Sequence, residues 1–249
     1  MNRAVKIALL VVVGVPVAAI VAVLVWYGTI ATAYHYKWGW VEVPVHYRLS
    51  FDVEVGGVSY AASTVIQFTY RQIPNWQMLT VPGFAALYKG QAGCVKLADG
   101  KMVCLMPGAK TMVFGRPFYI VGLPNDLLSV NGSPTGPKKK SQPIGVSNAA
   151  TVSGSSDIPI NLLPPMIVLD DPARPSSAHL FDPEHPEQTL GAQSRFLGAQ
   201  IAVTNEPVSQ GIEMILPWLD PGRSQRFSNP GDSFEQENHG NPLLTADFY

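Results

Sequence analysis

VEVPVHYRLSFDVEVGGVSYAASTVIQFTY, residues 41–70, is the stretch on which the fold turns. Val41, Val43, Val45, Tyr47, Leu49, Phe51, Val53 and Val55 alternate with Glu42, Pro44, His46, Arg48, Ser50, Asp52 and Glu54. Successive side chains of a strand point to opposite faces, so the alternation predicts a strand with one apolar and one wet side. Gly56-Gly57 supplies two adjacent positions that tolerate positive φ, as a two-residue hairpin loop demands. A second alternation follows through Val58, Tyr60, Ala62, Thr64, Ile66, Phe68 and Tyr70. With that loop, Val53 falls opposite Tyr60, Phe51 opposite Ala62, Tyr47 opposite Ile66 and Val45 opposite Phe68, so the apolar face continues across both strands. His46 and Arg48 fall on the wet side and read as surface residues.

Further strands are expected at Phe84 to Lys89, Val95 to Leu97, Met102 to Leu105, Thr111 to Val121, Met166 to Leu169 and Phe196 to Thr204, mostly bounded by Gly, Pro or Asn. One short helix is expected where Asp182 caps, Pro183 takes the first helical position and Gly191 closes. Composition agrees: among 249 residues 22 are Gly and 22 Pro, aromatics reach 10% and charged residues only 14%, which favours strands and turns over long exposed helices. The expected fold class is mainly β, an antiparallel sandwich-like or meander sheet, in one domain over residues 34–219. Residues 131–156, rich in Gly, Ser, Pro and Lys without periodicity, read as a flexible linker and leave open one subdomain or two. Residues 220–249 read as a polar, partly loose tail in which only Leu243-Leu244 and Phe248-Tyr249 are suited to docking.

Before this domain, residues 7–30 (IALLVVVGVPVAAIVAVLVWYGTI) carry no charge. As a helix they span about 36 Å, enough to cross a lipid bilayer. Residues 1–33 are therefore expected to be a membrane anchor, with a modest kink at Pro16. Arg3 and Lys6 precede the run and bias the N-terminus to the cytoplasm. Trp26, Tyr27, Tyr34, Tyr36, Trp38 and Trp40 gather at its far end, where amphipathic rings settle among headgroups. Ala31-Thr32-Ala33 has the small-x-small form of a signal peptidase site, so cleavage after Ala33 is the rival reading; the apolar run is longer than a cleavable one usually is. The absence of Cys after the run argues against lipoprotein processing. Either way the domain is exported, and the expected location is a bacterial inner membrane with the domain in the periplasm.

Cys94 and Cys104 flank VKLADGKMV, a hairpin pattern with Ala98-Asp99-Gly100 as a three-residue loop and Gly100 in the left-handed position. That register sets the two cysteines directly opposite on a non-hydrogen-bonded pair, where a cross-strand disulfide can close; export supplies the oxidising compartment, and two buried free thiols are the alternative. Zinc is not expected, because two cysteines without a nearby His leave half the tetrahedron empty. The densest polar group is Asp170-Asp171 with His179, Asp182, Glu184 and His185. It has the oxygens and imidazoles of a divalent-metal site but matches no ligand spacing, and its neighbouring prolines assign it to turns and caps. Ser153-Gly154-Ser155-Ser156-Asp157 lacks the strand, elbow and helix around a nucleophilic serine. No phosphate-cradling loop or dinucleotide fingerprint occurs. Seventeen basic against eighteen acidic residues give no field to recruit nucleic acid, and Lys138-Lys139-Lys140 reads as a solvated loop. No cofactor is expected.

MIVLDDPARPSSAHLFDPEHPEQTL and IAVTNEPVSQGIEMILPWL, within Pro165 to Leu219, and the hairpin RLSFDVEVGGVSYAASTVIQFTY resemble a family of small exported or membrane-anchored proteobacterial proteins without assigned activity. The resemblance implies a bacterial source and carries no catalytic residue to this chain. Three functions stay in play. The first is a non-enzymatic binding or scaffolding module of the envelope, with Trp76, Trp218 and the Pro-flanked loops as contact surface and another envelope protein as partner. The second is an envelope hydrolase or metal-dependent enzyme using Asp170, Asp171, His179 and His185. The third is an accessory subunit of an inner-membrane complex, its helix packing through Gly14 and Ala18.

Overall fold

The computed structural model describes residues 3–35, 40–72, 84–108, 112–113, 116–117, 120–130 and 144–219. The chain divides into two compact units, Met1–Val41 with Gln72–Phe84 and Glu42–Arg71 with Ala85–Tyr249. In the first, α1 runs over Arg3–His35 with Pro16 inside it. Its span Val15–Thr32 is long and apolar enough to cross a membrane, and none of it is buried. Ile20, Leu24, Trp26 and Tyr27 all face outward. The hydroxyls of Thr29 and Thr32 donate to Val25 O and Gly28 O, each at 2.7 Å, so neither needs water.

The second unit is built of antiparallel sheet. The strands are β1 (Val41–Val55), β2 (Val58–Gln72), β3 (Phe84–Lys89), β4 (Gly93–Lys96), β5 (Met102–Leu105), β6 (Met112–Val113), β7 (Arg116–Pro117), β8 (Ser129–Val130), β9 (Val152–Ser153), β10 (Ser155–Asp157), β11 (Met166–Leu169), β12 (Ala178–Leu180) and β13 (Ser194–Thr204). One sheet has the order β10-β13-β1-β2-β3, another β12-β11-β5-β4, and β6-β7 and β8-β9 form small pairs. The β1–β2 hairpin turns at Gly56 and Gly57, with φ of 59° and 81°. β13 pairs with β1 from His46↔Thr204 to Val55↔Ser194, with a bulge at Asp52/Val53 where Gly198 takes φ 146°. A bulge of this kind twists a strand locally and suits the one residue without a Cβ.

The inward rows of β1 and β2 behave as their alternation predicts. Tyr47, Leu49, Phe51, Val53, Ile66 and Phe68 join Val103, Leu105, Met166 and Val168 of the smaller sheet in one buried cluster. Phe68 sits at its centre, 5.7, 6.5 and 5.9 Å from the rings of Tyr47, Tyr70 and Tyr88. Between β3 and β4 the chain passes from one sheet to the other, and a Cβ on Gly90 would lie 2.6 Å from Ile66 Cγ2. The smaller sheet is buried on its other side too. Met102, Cys104, Met106, Ile167 and Leu169 form a second cluster, closed by Ile212, Leu216 and Leu219 on and after a one-turn helix; the short helices are α2 (Leu123–Leu127), α3 (Glu187–Leu190) and α4 (Ile212–Ile215).

Three expectations change. Thr111 to Val121 is not one strand: its described residues form the β6–β7 pair and then a 3₁₀ turn over Ile120–Gly122 leading into α2. Pro117 interrupts the run, since it has no N–H to give to a ladder. The helix expected from Pro183 begins only after Pro186, because a proline there disfavours helical backbone at His185; Asp182 instead caps the turn before it, accepting the Glu184 N–H at 2.9 Å, and Gly191 closes the helix at φ 95° as expected. Within 131–156, where composition reads as linker, residues 144–156 belong to the fold. Asn125 Oδ1 accepts the Ile144 N–H, Asn148 Oδ1 accepts that of Gly145, and β9 and β10 pair with β8 and β13. Residues 131–143 and the tail 220–249 lie outside the described residues.

Candidate functional site

Cys94 and Cys104 face each other in the β4–β5 ladder and are joined by a disulfide, with Cα atoms 4.1 Å apart. The turn between them is the expected one: Gly100 has φ 94°, Leu97 accepts from the Gly100 N–H, and Asp99 Oδ1 accepts the Lys101 N–H at 3.0 Å. A disulfide persists in an oxidising compartment.

The turn delivers Lys101 to the start of β5. Because Met102 pairs with Leu169 across the β5–β11 ladder, Lys101 arrives beside Asp170. Its Nζ lies 2.8 Å from Asp170 Oδ1 and donates to Thr189 O at 3.1 Å. His179 on β12 places Nε2 3.0 Å from Asp170 Oδ2. Burial raises the Asp170 pKa, but the Lys101 ammonium and then His179 outweigh it and hold the carboxyl below its usual range. Both carboxylate oxygens are thus engaged, and the assembly orients an imidazole at a surface where Asp170 is 46% exposed.

The other acidic and imidazole candidates serve turns. Asp171 Oδ1 accepts the Ala173 N–H at 3.0 Å and Oδ2 pairs with Arg174 at 3.1 Å, while the Asp171 N–H goes to Ser177 Oγ. His185 Nδ1 lies 3.6 Å from Glu187, and Glu184 contributes its backbone N–H to Asp182. Among the described residues no group of three or more His, Cys, Asp or Glu side chains is placed to hold a metal ion. Trp218 donates its indole N–H to Pro172 O at 2.7 Å and is tied to the 170–177 loop. Trp76 and Lys138-Lys139-Lys140 lie outside the described residues.

A second polar group lies on the wet face of the larger sheet, and sequence reasoning missed its partners. After β13 the chain crosses β1 and β2. Glu206 O lies 2.7 Å from His46 Nδ1, and the Glu206 carboxylate takes both Arg48 Nε and Nη2. His46 Nε2 lies 3.1 Å from Gln67 Oε1. Ser209 exchanges hydrogen bonds with Val65, and Gln91 Oε1 accepts the Ile212 N–H at 3.1 Å. These partners stand 21 to 160 residues apart in sequence, so no local periodicity announces them. Beneath the sheet, the Tyr47 and Tyr70 hydroxyls meet at 3.0 Å. Burial pushes the phenols of Tyr47, Tyr70 and Tyr88 up, so all three stay neutral.

These features define a two-sheet antiparallel β protein with one N-terminal helix able to cross a membrane and one cross-strand disulfide. No family model, no curated protein and no solved structure matches the chain.

Proposed function

We propose that this chain is a single-pass protein of the bacterial inner membrane, N-terminus in the cytoplasm, whose periplasmic domain is a non-catalytic binding or scaffolding module. One observation carries the reading: an apolar helical span, Val15–Thr32, with no buried residue and a disulfide-stapled sheet domain occur in the same chain. Arg3 and Lys6 before the helix favour the stated orientation. Oxidation of Cys94 and Cys104 fits a periplasmic domain. The contact surface is the loop 170–177, held in shape by the Asp171 and Ser177 hydrogen bonds and by Trp218, with the well-exposed Arg174 at its turn. A rigid scaffold displaying a polar loop is a common way to meet a partner, here another envelope protein.

Mild crosslinking in cells followed by purification of the full chain tests the reading. A specific envelope partner is expected with the wild type, in lower yield with Arg174→Glu. Recovery of no partner, or equal recovery with both chains, counts against it.

A further inference from the structure

We propose that residues 205–219 are a strap that releases locally, uncovering an apolar strip on the smaller sheet while the main core stays folded. The strap contains no strand, and its one helix is the single turn α4. It is fastened at separate points: Glu206 to Arg48 and His46, Ser209 to Val65, Ile212 to Gln91, and Trp218 to Pro172. The first of these is a solvent-exposed ion pair, a weak fastening. Between them, Met214 is 81% exposed and Ile215 faces outward, so this stretch hides only part of its apolar surface.

Beneath the strap, Met102, Cys104, Met106, Ile167, Leu169 and Leu180 are buried in a cluster of their own, separate from the cluster around Phe68. The residues that seal them are Ile212, Leu216 and Leu219. Two clusters with different covers can open independently: release of the strap exposes one face of β5 and β11 but leaves their ladder and their other face in place.

Thiol labelling of the full chain in detergent tests this. Leu216→Cys puts a thiol under the strap and Leu49→Cys puts one in the main core, both at fully buried positions. The thiol at 216 is expected to react with a maleimide at least about 100-fold faster than that at 49, with a shallow dependence on urea. Adding Glu206→Ala is expected to speed the reaction at 216 by about two- to fivefold and leave that at 49 unchanged. Leu169→Cys, beneath the strap on β11 and paired with Met102, repeats the reading with every strap residue intact. Equal rates at all three positions with the same steep urea dependence would show that the strap opens only on global unfolding, and would overturn the proposal.

Discussion

The two sheets solve the burial problem differently. The larger one keeps a wet face, and β1 shows it residue by residue, buried at Tyr47, Leu49, Phe51 and Val53 and open or half-open at the positions between. The smaller one has no wet face along its central strands: all four residues of β5 and all four of β11 are buried. One side of it shares the main core, and the other depends on residues that arrive from the far end of the domain. The larger sheet draws its stability from packing against another sheet. Half of the smaller sheet draws its stability from a short strap.

Substitutions sharpen or break this contrast. Phe68→Ala removes the ring at the centre of the main cluster and is expected to cost about 3–5 kcal/mol in urea unfolding of the full chain. Leu216→Ala opens the second cluster and is expected to cost less, about 2–3 kcal/mol, because the strap can settle into the space. A larger loss for Leu216→Ala than for Phe68→Ala would invert the ranking of the two clusters. Replacing Cys94 and Cys104 together by Ala is expected to remove about 2–3 kcal/mol, since the bond closes a short loop. Differential scanning calorimetry with and without reductant would detect the same loss in the wild type.

The smallest expected effect is in acid. The folded Asp170 carboxyl titrates below its unfolded value. Its contribution is therefore present above about pH 4, the unfolded carboxylate range, and lost as pH falls through the lower folded value. The group is half open to solvent, so the contribution is about 0.2–1 kcal/mol. Urea midpoints at pH 6 and pH 3 for wild type and Lys101→Met should differ less at pH 3. A gap that widens in acid would contradict the sign.

The same contrast explains what the sequence made legible. Strict alternation over residues 41–70 was enough to place β1, β2 and their turn, because a sheet with one wet face writes that face into every second residue. Cys94, Asp99, Gly100 and Cys104 likewise announced their own hairpin by local spacing. MVCL and MIVL are uniformly apolar, so they signal strands without saying which elements cover each side. The strap was illegible for that reason: Glu206, Ser209 and Trp218 act on residues distant in the chain, and no repeat marks a backbone that crosses a sheet. Residues 144–156 misled because Gly, Ser and Pro signal loop, while Asn125 and Asn148 tie that loop down from outside and from within.

The most direct test of the proposed topology is protease accessibility of spheroplasts carrying the full chain with a C-terminal reporter, combined with non-reducing mass spectrometry. The expected result is a protease-exposed domain, still fused to its N-terminal helix, with Cys94 and Cys104 joined. A protected domain with both thiols reduced would contradict it.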